Sequence, residues 1–195
     1  MKGFVLPALM IAAGLSGGCE RAVNATEQTA SNTQTAVTSP PSQVERGRYL
    51  VDATGCHDCH TPKKMGKDGP ELDASRLLAG HIATEQLPAP PAIQPGPWIA
   101  TFAWDLTAWS GPWGVSYAIN LTPDPDTGLG SWTEQMFVGA LKTGKHMGVS
   151  RPILPPMPWQ AFRNFSEEDL KAMFAYLRTV PPIKNRVPDP VFASH

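Results

Sequence analysis

The strongest apolar periodicity lies near the C-terminal end. Leu170, Met173, Phe174 and Leu177 fall at i, i+3, i+4 and i+7, which sets four apolar side chains on one helix face. Ser166 with Asp169 starts this helix in the S-x-x-[DE] pattern, where the serine oxygen caps a free N–H and the acid reaches back. Glu167, Glu168 and Asp169 suit the positive end of the helix dipole. Pro181 and Pro182 stop it. The same device, Ser131 with Glu134, predicts a helix carrying Met136, Phe137, Ala140 and Leu141 and ending near Gly144. A third, Ser42 with Glu45, predicts a helix from Ser42 to about Thr54 with Val44, Tyr49, Leu50 and Val51. Gly47 inside it costs about 1 kcal/mol relative to alanine, so a glycine there predicts close crossing by another helix.

No segment alternates apolar and polar with period two for long enough to predict a strand. Between Pro88 and Pro125 lie eight prolines and four of the six tryptophans, which predicts extended loop with a helical turn. The expectation is an all-α fold of few helices. So long a loop is reasonable in a compact domain only if it packs against something large and apolar that is not protein.

The first residues read differently. Lys2 precedes an apolar run from Phe4 to Leu15, too short to span a bilayer, and small residues Ser16, Gly17 and Gly18 lead to Cys19. Residues 1–18 are expected to be a secretory signal peptide. Small residues before a cysteine resemble a bacterial lipoprotein signal, in which Cys19 is lipidated. The leucine usual three residues before that cysteine is Ser16 here, so ordinary cleavage near Gly18 stays open. Residues 19–41 are rich in Ala, Thr, Ser, Asn and Gln and should form a disordered tether, since little apolar surface offsets their ordering entropy. The folded domain is expected at 42–195, on the periplasmic side of a bacterial membrane.

The chain of 195 residues has a net charge of −1 and no stripe of Lys and Arg, which excludes a nucleic-acid binder. With Lys2, Arg21, Glu20 and Glu27 set aside, 14 basic and 15 acidic residues remain, so no partner is selected by charge. Three cysteines do not make a disulfide framework, and each is read alone.

Cys56-His57-Asp58-Cys59-His60 spells C-x-x-C-H, the c-type haem attachment signature. Two cysteines three apart at the end of a helix reach both vinyl groups of one porphyrin as thioethers. His60 then falls under the iron as proximal ligand. A redox dithiol would need a βαβ context, which is not visible. Zinc would need about four ligands, and these are too cramped. For the sixth iron position the candidates are Met65, His81, Met136, His146, Met147 and Met157. Met65 follows His60 too closely. Met136 and Met173 suit a helix core, and His81 and His146 read as surface or loop histidines. Met157 is favoured because Pro155, Pro156 and Pro158 hold its backbone. Met147 remains the alternative. Asn120, Trp132 and Arg151 belong to loops expected to surround the haem.

Around this motif, residues 42–190 resemble a single-haem class I cytochrome c. The resemblance is carried by Cys56–His60, by Asn120-Leu-Thr-Pro-Asp124 and by Thr127-Gly128-Leu129-Gly130-Ser131-Trp132. Met157-Pro158, Ala175-Tyr176-Leu177-Arg178 and Pro181-Pro182 add to it. The chain also resembles the cytochrome subunits of membrane-bound quinone-dependent alcohol and sugar dehydrogenases, although those usually carry several C-x-x-C-H motifs and this chain has one. The resemblance implies that the first and last helices cross, with Gly47 near Tyr176. It implies one covalent haem c with His60 and Met157 as axial ligands, and a one-electron carrier rather than an enzyme. Its partners would be a dehydrogenase or respiratory complex and an oxidase or reductase. The rival readings are a subunit of a dehydrogenase complex, and a haem sensor or enzyme with a labile sixth ligand.

Overall fold

The computed structural model describes residues 41–92 and 96–193. The expected signal, the tether and Cys19 lie outside the described residues.

Helix α1 (Gln43–Ala53) begins at the predicted cap, with the Ser42 hydroxyl accepting from Glu45 N and the Glu45 carboxylate accepting from Ser42 N. Helix α2 (Cys56–His60) follows almost at once, after Gly55 turns the chain in the left-handed region at φ 72°. Helix α3 is Glu134–Thr143, α4 is the single turn Trp159–Phe162, and α5 is Glu167–Leu177. Two details differ from the sequence expectation. Thr133 rather than Ser131 caps α3, because residues 129–131 are themselves a one-turn 3-10 helix. The Asp169 carboxylate turns across to Arg46 at 2.8 Å, while Ser166 still caps α5.

The all-α expectation is overturned. Among the described residues, two antiparallel sheets accompany five α-helices. One is the hairpin β1 (Lys63–Gly66) with β2 (Gly69–Leu72), directly after the C-x-x-C-H helix. The other has the order β3 (Thr101–Phe102), β4 (Ala108–Gly111), β5 (Gly114–Tyr117), β6 (Val191–Phe192). The Pro- and Trp-rich stretch expected as loop supplies three of its strands. Strands of two to four residues give too few positions for an alternation to register, and glycines at 111 and 114 stand where a side chain would mark the pattern. The pairing completes only when β6 arrives from the far end of the chain.

The core sits between α1, α3 and α5. Leu50 and Val51 of α1, Phe137 and Leu141 of α3, and Leu170, Met173, Phe174 and Leu177 of α5 belong to one cluster of buried side chains. Burial of each such side chain is worth about 1.5–3 kcal/mol. The predicted stripe of α5 is therefore the stripe that is buried. Gly47 lets α1 and α5 touch. A Cβ there would overlap the Ala172 carbonyl oxygen and come within 2.9 Å of Tyr176 Cβ.

Where regular structure is lacking, buried asparagines hold the loops. The Asn185 side-chain amide donates to the carbonyls of Ala79 and His81, both at 2.7 Å, and its oxygen accepts from Ala83 N. The Asn120 amide donates to Ile183 O at 2.8 Å. Such bonds satisfy backbone groups that would otherwise be buried unpaired.

Gly47→Ala should lower stability by about 2 kcal/mol, because added volume must push two packed helices apart. In an open helix the same change would raise stability by about 1 kcal/mol. Denaturant unfolding followed by helical circular dichroism gives the sign.

Candidate functional site

Gly55 ends the approach from α1 and aims α2 inward, so Cys56 and Cys59 stand three residues apart on one short helix. Both are half-buried and carry free thiols. The Thr54 hydroxyl lies 3.5 Å from Cys56 Sγ. Burial pushes both thiols above their ordinary pKa; Lys63 opposes the shift at Cys59.

His60 ends α2. Its Nδ1 lies 2.8 Å from the carbonyl oxygen of Ile119, and a carbonyl can only accept, so Nδ1 carries the hydrogen. The lone pair is thereby assigned to Nε2. Burial lowers the pKa of His60 and keeps the ring neutral, as a metal ligand must be. The backbone around Ile119 is itself fixed: His81 N donates to Ala118 O and Leu121 N to Leu78 O.

Cys56, Cys59 and His60 open onto a cavity of about 430 Å³. Met157 lines it, with Pro156 and Pro158 beside it. The rest of the lining is mostly apolar and aromatic, including Trp109, Tyr117, Trp132, Phe137 and Leu177. Two basic side chains also reach it. His146 stands edge-on to Trp132 with centroids 5.0 Å apart, and Arg151 is half-buried. Burial pulls the pKa of both down, and the neighbouring Arg151 adds to the effect on His146.

The structure thus brings together Cys56, Cys59, His60, Met157, Trp132 and Arg151 on one cavity. Asn120 is not part of that lining; it holds Thr122 and the chain at Ile183. Of the other candidates for the sixth position, His146 also lines the cavity, while the rest are placed apart or otherwise engaged. Met65 is 72% exposed on β1. Met147 sits in a left-handed turn at φ 55° outside the lining. Met173, expected in a helix core, is buried there while its edge reaches the cavity. His81 lies in a loop, as expected, but not at the surface: it is 1% exposed, with Nδ1 2.8 Å from Thr107 Oγ1 and its ring against Tyr117. The bonded Thr107 in turn donates to the buried Asp105 carboxylate.

Two features leave no mark in the sequence. The Ser116 hydroxyl donates to Pro155 O and so ties the methionine loop to β5. Trp159, two residues after Met157, covers Gly144, where a Cβ would collide with the indole. Neither contact has a local signal, since the first partners are 39 residues apart.

This donor set suits a flat, apolar group with a metal at its centre. It has two free thiols three residues apart on one short helix, a neutral imidazole with Nε2 unclaimed by Ile119, a thioether, and a cation in Arg151 for acidic substituents. Among the described residues no group of three or more His, Cys, Asp or Glu side chains is placed to hold a bare metal ion.

No protein-family model matches the chain. One of the subunits of nicotinate dehydrogenase from Pseudomonas putida is 27% identical over 147 residues, covering 75% of this chain and 9% of that protein. The fructose dehydrogenase cytochrome subunit of Gluconobacter japonicus is 29% identical over 153 residues, covering 75% of this chain and 24% of that one. The cytochrome c subunit of the alcohol dehydrogenase (quinone) of Gluconobacter oxydans is 36% identical over 81 residues, covering 40% of this chain and 17% of that subunit. The chain therefore spans a quarter or less of the length of these relatives. It is similar to the cytochrome c subunits of dehydrogenases.

Proposed function

We propose that the chain is an exported one-electron carrier holding one haem c, with Cys56 and Cys59 as thioether attachments and His60 and Met157 as axial ligands. One observation carries the reading. All four side chains line one cavity, and the Ile119 carbonyl fixes the tautomer of His60 that leaves Nε2 to bind. The haem, when bound, supplies an iron that alternates between ferric and ferrous states.

The chain's own residues do the rest. His60 is kept neutral by burial and is oriented from behind, which fixes ring angle and raises ligand basicity. Met157 offers a soft neutral sulfur, which favours the ferrous state and raises the potential. His60 and Met157 together would leave no position for a substrate, and the carrier would transform none of its own. Arg151 offers positive charge, and His146 and Trp132 offer hydrogen bonds, where acidic substituents would enter. The apolar walls keep water away and limit reorganisation.

The thiols speak against the dithiol reading. A reactive Cys-x-x-Cys pair has a lowered pKa, whereas burial raises both of these. A single C-x-x-C-H supports one haem. The relatives' names support a dehydrogenase as electron donor. Residues 1–18 are proposed as export signal, 19–41 as tether and 42–195 as the cytochrome domain, with Cys19 lipidated and the domain held on the periplasmic side.

Met157→Ala should abolish the ferric sulfur-to-iron band, lower the midpoint potential and admit small ligands to the iron; Met147→Ala should leave all three unchanged. The opposite pattern would move the ligand to Met147. Cys56→Ala or Cys59→Ala should lose one thioether, and the double change should remove covalent haem and cooperative unfolding. Wild-type protein should fractionate with membranes, and Cys19→Ser should not be processed as a lipoprotein. Mature soluble protein with an unmodified Cys19 by mass spectrometry would remove the anchor and leave electron transfer intact.

A further inference from the structure

From residue 86 to residue 123 the chain carries one charged side chain, Asp105, and that one is buried. This uncharged stretch builds β3, β4 and β5 and the cavity wall at Trp109, Ser116 and Tyr117. Side chains alternate across a sheet, and partners opposite each other share a face. Phe102 lies opposite Trp109, and Trp109 opposite Ser116, so all three share one face of the sheet, and Trp109 and Ser116 line the cavity. Phe192 lies opposite Gly114 on that same face.

The face does not end at the cavity. Trp109 lines the cavity and packs on Phe102, with ring centroids 4.8 Å apart. Phe102 is 58% exposed on the edge strand β3. Trp104 and Phe192 are also exposed, and Trp98, which leads into β3, is 84% exposed. An apolar surface thus runs from the redox cavity to solvent. Large exposed aromatic side chains in one sheet region mark a contact surface.

We propose that this aromatic face is the docking surface for a redox partner protein that presents an uncharged, apolar surface of its own. The inference rests on the electron-carrier reading. Its chemistry follows from charge: a stretch without exposed charge offers no attraction to a charged patch and penalises burying one. Continuity with the cavity wall brings such a partner to the group that exchanges electrons. A bilayer on the same face would instead close that approach. The contact need be only small and short-lived, as electron-transfer encounters are.

The test is voltammetry of the haem-loaded full chain on gold coated with methyl-, carboxylate- or ammonium-terminated alkanethiols, the methyl layer standing for the partner. Exchange should be about tenfold faster on the methyl layer than on either charged layer, and insensitive to salt. The Phe102→Ser, Trp104→Ser double variant should lose that advantage while keeping wild-type haem absorption; Tyr49→Ser on α1 should keep it. Faster, salt-sensitive exchange on a charged layer overturns the proposal, as do equal rates on all layers in wild type, which need no variant to fold. Phosphatidylcholine vesicles bound by wild type and released by the double variant would assign the face to a membrane. A dimer by sedimentation that the double variant dissolves would assign it to a second copy. Protein without haem absorption, giving no wave on any layer, would instead remove the electron-carrier reading itself.

Discussion

The hydrogen bond from His60 Nδ1 to the Ile119 carbonyl joins the two ends of the site's construction. One end is local: α1, the turn at Gly55 and the five-residue helix of the C-x-x-C-H motif. The other arrives 59 residues later, after the hairpins and the proline-rich stretch. The carbonyl can orient an imidazole only because its own backbone is held. His81 N bonds Ala118 O, Leu121 N bonds Leu78 O, and Gly80 N bonds the carbonyl of His60 itself. Asn185 then secures Ala79 and His81 from the C-terminal side. Chemistry at residue 60 thus depends on order at residues near 80, 120 and 185.

The cavity and the core are not separate structures. Leu129, Phe137, Leu141, Met173 and Leu177 belong to both. Each is buried in the helix core and also lines the cavity. A group bound there would complete the packing of helices that already pack on one another, and binding then adds directly to folding stability. This is why attachment and folding are expected to fail together. The methionine loop is tied in the same manner, through Ser116 on β5. A sheet that looks peripheral to a helical core therefore bears on the placement of a candidate iron ligand.

Legibility in the sequence follows the range of the interaction. The C-x-x-C-H motif lies within five residues, so its chemistry is readable without structure. The buried stripe of α5 and the cap at Ser42 are readable for the same reason. Met157 is singled out by its flanking prolines, and the structure places it on the cavity lining. The strands are not readable, because two- to four-residue strands carry no period and their order is set by partners such as Val191. His81 misleads for a related reason. Its partners are Thr107, 26 residues away, and the Tyr117 ring, and nothing next to it signals burial. Asn120 stands out in its motif, yet its work is to hold Ile183 rather than to line the cavity.

The central claim is that one covalent haem is held between His60 and Met157. Proton-carbon NMR of the reduced protein, labelled at the methionine methyl carbons, tests it most directly. A methyl group bound to iron lies over the ring and is displaced far upfield of every other methionine. The account predicts one such signal, assigned to Met157 by its loss in Met157→Leu, with Met65, Met136, Met147 and Met173 in the ordinary methyl range. An upfield signal that survives Met157→Leu, or the absence of any upfield methyl in fully haem-loaded protein, would contradict it.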